Sequence, residues 1–236
     1  MHIHTKYSCD SIMPFCLLYL KCCYLKINYI AITEHNNIKG ALKFQDYCRK
    51  HGNRINVIIG EEIMTADGEI IGLFLKNEIR AGLSLSETID EILSQKAIVC
   101  VPHPYDLKRI KTVLNEKAIE ENKNKINCME IHNGRNIMIE YSEKQKELSE
   151  KYCLTPVIGS DAHTIFEIGR NYMEVSICPD TPEKFLEAIK SAKYMRKDCL
   201  RYSHILTKFV RIVKYVERGD FCGLYRTVIK KIRNRK

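Results

Sequence analysis

Two histidines open the chain, His2 and His4 in MHIHTKYSCD, and Asp10 stands six residues beyond the second. Further ligand-type side chains recur in short motifs: His35 in TEHN, Glu62 in IIGEEI, His103 in PHP, Asp161 and His163 in SDAH. Imidazole and carboxylate, mixed and without thiolate, are the donors of open sites for Zn²⁺, Mn²⁺ or Fe rather than of a closed structural zinc site. Eight such residues exceed the needs of one ion. With a carboxylate able to bridge, they suit two or three. Ions so grouped clamp a phosphoryl group and activate water at neutral pH.

The elements that must hold these residues are legible from the apolar runs. Strand candidates are NYIAIT (28–33), NVIIGEEI (56–63), EIIGLFL (69–75), AIVCVP (97–102), CMEIH (128–132), PVIGS (156–160) and NYMEVSI (171–177). Helical patterns fall between them at 38–51, in SETIDEILSQ with Ser86 as its N-cap, and at 136–151 and 182–193. This alternation predicts an α/β fold with a parallel sheet wrapped by helices, an open sheet or a barrel. His35, Glu62, His103, Asp161 and His163 then stand at or just past the C-terminal ends of strands, where such folds gather their sites. His132 ends a further strand; only His51 and His204 fall elsewhere.

Composition excludes several classes. The 236 residues are 45% hydrophobic, enough for one large core. Eleven cysteines without paired C-x-x-C clusters predict free thiols and a reducing, cytoplasmic setting. The longest charge-free stretch of IMPFCLLYLKCCYL is too short to cross a bilayer, and it reads as a buried helix opening near Pro14. Residues 1–200 carry 27 basic and 27 acidic side chains, whereas 201–236 carry 11 and 2. The expected division is therefore a main domain over 1–198 and a basic tail over 199–236. In the tail Ile205, Phe209, Ile212 or Val213, and Val216 form a helical stripe, and Leu224, Val228 and Ile232 a second one beyond Gly219-Asp220. Those stripes suit packing on the main domain or on a partner subunit. The basic faces equally suit an anionic membrane surface or a nucleic-acid backbone.

HIHTKYSCDS, IAITEHN, GEEI, VPHP and GSDAH, in that order from His2 to about residue 175, resemble the motif series of the PHP (polymerase and histidinol phosphatase) family of metal-dependent phosphoesterases. The resemblance implies a distorted (β/α)7 barrel with up to three metal ions. Carried over by position, it implies that His2, His4, Glu62 and Asp161 bind one metal. Glu62 would bridge to a second metal also held by His103, and Asp10, His35 and His163 would bind a third. His132 in EIHNGRN is a further candidate for the second. The implied chemistry is attack on phosphorus by a metal-bridged hydroxide, without a covalent intermediate.

Departures from the family pattern are visible. Glu34 replaces the more usual aspartate in TEHN, and Ile70 and Ile71 stand where some relatives carry a further histidine. Only Met1 precedes the first H-x-H, so the first strand reads as truncated, with His2 and His4 on a flexible end. Arg135 and Arg170 are the expected phosphate binders, with Arg109 a weaker one. The expected substrate is a small phosphomonoester or a nucleotide. The alternatives are a catalytically impaired binding module and a nucleic-acid end-processing accessory enzyme.

Overall fold

The computed structural model describes residues 1–106, 109, 112–200, 202–217 and 219–220. Six strands form one curled sheet in chain order: β1 (Tyr29–His35), β2 (Asn56–Met64), β3 (Glu69–Leu73), β4 (Ile98–Val101), β5 (Cys128–Asn133) and β6 (Thr155–Gly159). Helices α1 (Phe15–Tyr24), α2 (Lys39–Lys50), α3 (Leu85–Ser94), α4 (Glu116–Asn122), α5 (Ile139–Lys151), α6 (Pro182–Lys190) and α7 (Ser203–Glu217) complete the α/β half-barrel. As expected, α1 follows directly on Pro14.

The sheet is not wholly parallel. β1–β2, β4–β5 and β5–β6 pair in parallel, whereas β3 runs antiparallel to both neighbours. Only 65–68 join β2 to β3, too short for a crossover, so the chain turns back as a hairpin. The first residue of β3 therefore lies at the same end of the sheet as the last residues of β2. The run 171–177 does not join this sheet. Its strand, β7 (Tyr172–Glu174), is half-exposed and pairs with β8 (Lys193–Met195) in a separate two-stranded sheet.

Apolar side chains cover both faces of the main sheet, as a sheet buried on both sides requires. Ile71, Leu73, Ile98, Cys100, Cys128 and Val157 fill the concave interior with Phe185 and Ile189 of α6. Outside, Ile63, Ile70, Val99 and Val101 pack beneath α3, and Ile30 and Ile32 beneath Leu18 of α1 and Phe44 of α2.

The first four residues close the concave side between β1 and β6. Thr33 N donates to Ile3 O at 2.9 Å, His4 N to Ala162 O at 2.9 Å and Ser160 N to Met1 O at 2.8 Å. The expected flexible start is thus replaced by a pinned one, and His2 and His4 are both fully buried. Beneath Met1, at the opposite end of the strands from the site, the start of β1, residues 172–178 and Phe185 line a cavity of about 600 Å³. No described helix is long and apolar enough to cross a membrane. The ten described cysteines are free thiols.

Of the alternatives expected for the tail, packing of the first apolar stripe on the main domain is not the one α7 adopts. Ser203, Thr207, Val210 and Lys214 face the barrel, while Ile205, Phe209 and Val216 are exposed. The cations of the inner face reach oxygens at the mouth of the barrel, which apolar side chains could not pair. The second stripe of the tail lies outside the described residues.

Candidate metal centre

Three loops and the chain start bring the ligand-type residues together. His2 and His4 come from the pinned opening segment, Asp10 from the loop after it, and His35 and Glu62 from the ends of β1 and β2. His103, Asp161 and His163 follow β4 and β6. Their donor atoms form four overlapping groups: His2, His4 and Asp161; His2, Glu62 and His103; His4, Asp10, His35 and His163; and His35, Glu62 and Glu69.

Separations among His2, His4, Asp161 and the adjoining Glu62 have the dimensions of a coordination shell. His2 Nε2 lies 3.3 Å from Glu62 Oε1 and 3.6 Å from Asp161 Oδ1; His4 Nε2 lies 3.4 Å from Glu62 Oε2 and 3.6 Å from the same Asp161 oxygen. A tetrahedron of N and O ligands around zinc has edges of about 3.4 Å. Such distances suit ligands of a shared ion. His2 Nε2, His4 Nε2, Asp10 Oδ1, Glu62 Oε2 and Asp161 Oδ1 are all buried and make no hydrogen bond. Converging orphan lone pairs are costly unless a cation takes them, so the residues present fit divalent metal.

A second layer aims these donors. His2 Nδ1 is 2.8 Å from Glu130 Oε1 and His4 Nδ1 is 2.9 Å from Ser8 Oγ, which turns both Nε2 atoms to the cluster. Glu130 also accepts from His103 N and Asn133 Nδ2, each at 2.8 Å. Glu34 is fully buried and accepts from Thr5 N at 3.0 Å and Ser8 Oγ at 2.5 Å. It holds the loop carrying His4 and Asp10 and takes no place in the cluster. Three members of the cluster adopt left-handed backbone: His2 at φ 63°, His103 at φ 29° and Asp161 at φ 49°.

The electrostatics follow from this burial. Burial opposes the charge of Glu62, yet His2 and His35 hold it well below the usual carboxylate range. Burial likewise opposes the charge of Asp161, and Arg109 with His2 overrides it. His2 is held well above the ordinary histidine range, against its burial, by Glu130, Glu62 and Asp161. Burial and the neighbouring His163 and His35 push His4 well below it, leaving its lone pair free.

Some expected residues stand elsewhere. His132 is engaged at both nitrogens, Nδ1 with Ser142 Oγ at 2.8 Å and Nε2 with Asn171 Oδ1 at 3.2 Å, and does not join the cluster. Arg170 donates to Asp198 O at 2.9 Å, away from the cluster. Arg135 is buried nearby, one guanidinium nitrogen on Thr207 Oγ1 at 2.7 Å and its Nη1 without a partner. The weaker candidate Arg109 reaches Asp161 directly.

Sequence reading missed Glu69, whose Oε2 lies 3.4 Å from His103 Nε2 and Oε1 3.7 Å from His35 Nδ1. The signal was the short β2–β3 connection, which puts a strand-opening residue at the site end. Arg211 was also missed, and its Nη2 lies 2.7 Å from Asp10 Oδ2.

Fold and site together define an α/β half-barrel with a cluster of metal-capable side chains at one end, and the PHP domain family model matches residues 1–219. The chain belongs to the PHP domain family. It is 36% identical over 200 residues to an uncharacterized protein of Methanocaldococcus jannaschii, covering 80% of this chain and 78% of that one. Among solved structures it resembles a two-domain protein from Bacteroides vulgatus described as containing a predicted PHP-like metal-dependent phosphoesterase. The TM-score is 0.64 at 18% identity, over 83% of this chain and 63% of that one, so under two thirds of the longer protein is spanned. The lesion-specific endonuclease PfuEndoQ of Pyrococcus furiosus is similar at TM-score 0.55 and 16% identity, over 83% of this chain and 56% of that one. At these identities the likeness is one of fold.

Proposed function

We propose that this protein hydrolyses phosphate esters with the help of two or three divalent ions, its substrate a small phosphomonoester or a nucleotide. The observation that carries the reading is the set of buried, unpartnered His and carboxylate atoms at coordination spacing. His2, His4, Glu62 and Asp161 would hold one ion. Glu62 would bridge to a second held with His103, and Glu69 is within reach to add a ligand. Asp10, His35 and His163 would hold a third. Manganese, zinc and iron all suit these donors.

When bound, such ions supply an activated water and neutralise the phosphate oxygens. The chain's own residues do the positioning. Glu130 and the Glu34–Ser8 pair keep His2 and His4 in one ring orientation. Arg135, with its spare buried N–H, is placed to donate to a phosphate oxygen. His103→Ala and Asp161→Asn in metal-loaded protein should each lower p-nitrophenyl phosphate turnover by at least about a hundredfold. A wild-type protein that takes up metal but hydrolyses nothing in a broad phosphoester panel would leave the binding-module reading instead. The likeness to an endonuclease favours testing nucleic-acid ends in the same panel.

A further inference from the structure

Helix α7 turns Arg211 and Lys214 toward the barrel mouth while Ile205, Phe209 and Val216 stay exposed, and these two cations close on the metal centre. Arg211 Nη2 pairs with Asp10 Oδ2 at 2.7 Å, and the Arg211 Nε is buried with no partner. Lys214 Nζ donates to Lys6 O at 2.6 Å and to Ser8 O, tying the helix to the loop between His4 and Asp10. His204 Nε2 is 3.0 Å from Arg135 O, and Thr207 receives the Arg135 guanidinium at 2.7 Å. Arg135 is 3% exposed, yet its Nη1 has no partner. Arg109 pairs with Asp161 on the other arm of the cluster. Three guanidiniums thus border one cluster, and two of them keep buried N–H groups unused.

A guanidinium cannot shed its proton, so a buried orphan N–H calls for an acceptor. Charge identifies it. With imidazoles neutral, Asp10, Glu62, Glu69, Asp106, Glu130 and Asp161 oppose Arg109, Arg135, Arg211 and Lys214, leaving two net negative charges. Two divalent ions would reverse this to two net positive charges. A dianion compensates that excess better than a monoanion does.

We propose that Arg211 is a specificity-determining residue that binds a non-bridging oxygen of a terminal phosphate, so that the roofed site takes phosphomonoesters over phosphodiesters. This rests on the phosphoesterase reading above. With Asp10 among the residues that would hold a metal, the Arg211 fork would be free to donate to the substrate dianion. The outer stripe of α7 plays no part in this.

The test uses the full-length metal-loaded protein and three readouts: metal content, calorimetric binding of inorganic phosphate, and KM and kcat on p-nitrophenyl phosphate and bis(p-nitrophenyl) phosphate. Arg211→Gln should weaken phosphate binding and raise the monoester KM by about tenfold, as loss of a charged hydrogen bond does. Its metal content should hold, and its diester KM should rise less than its monoester KM, because the diester carries one negative charge fewer. Arg211→Lys, which keeps the charge, should recover part of the affinity. Unchanged phosphate affinity in Arg211→Gln would overturn the assignment, as would loss of metal, which makes Arg211 a prop for Asp10. Faster turnover of both esters would also overturn it, since the arginine would then be a plug. If wild type binds phosphate in an Arg211-dependent way and cleaves neither ester, the assignment stands for binding while the phosphoesterase reading falls.

Discussion

Glu130 takes no place among the clustered ligand groups, yet His2, the His103 amide and Asn133 all converge on its carboxylate. Room for it exists because residue 159 is glycine; a Cβ there would overlap the Glu130 carboxylate. Gly159→Ala should therefore displace Glu130 from His2, costing about 1–3 kcal/mol of stability and part of the metal content. Thermal melts and elemental analysis would show both. His132 offers a pH test away from the cluster. Burial, then the charge of Arg196, lowers its pKa, so near pH 6 the folded protein binds fewer protons than the unfolded chain. Its contribution is present above the unfolded value of about 6.5 and is lost as pH falls through the folded one, with a slope of at most about 1.4 kcal/mol per pH unit. Denaturation between pH 5 and 8 should show a shallower acid loss in His132→Gln than in wild type. Residue types and predicted strand-end placement pointed to the eight clustered ligand-type residues. They could not separate His132, because a strand-end histidine takes its role from what its second nitrogen meets.

At the scale of elements, strands and helices were mostly readable from apolar periodicity, but direction and facing were not. The reversal of β3 follows from a connection too short for a crossover, a cue held in loop length rather than in the strand's residues. It is also why Glu69 escaped notice. The start of α3 shows a similar displacement: Ser84, not Ser86, is the N-cap, and it exchanges hydrogen bonds with Glu87 in a capping box. Ser84→Ala should cost about 1 kcal/mol and Ser86→Ala almost nothing, measurable by urea denaturation. Helix α7 misled for a physical reason. An amphipathic stripe normally faces the core, but here unsatisfied carbonyls and a carboxylate at the barrel mouth attract the charged face instead.

For the whole molecule, closure depends on the chain's first residues lying between β1 and β6, a long-range pairing that local sequence patterns do not encode. Three residues of the site adopt left-handed backbone, a conformation that costs on the order of 1 kcal/mol or more outside glycine. His2, His103 and Asp161 lie in different segments and converge on the same cluster, so their relaxation is coupled through whatever holds the cluster together. Without a divalent ion, the strain and the mutual repulsion of the carboxylates are offset only by protons and arginines. The seam between the opening segment and the end of β6 should then be the least cooperative part of the barrel. In chelated protein the amides of His4 and Ala162, which bond across that seam, should exchange with deuterium through local opening, while those of β1 and β2 wait for global unfolding. Saturating Mn²⁺ or Zn²⁺ at about 100 times its Kd should slow the seam amides by about a hundredfold, and equal protection with and without metal would contradict this. The chain's beginning is thus a latch whose protection factor reports the occupancy of the metal centre.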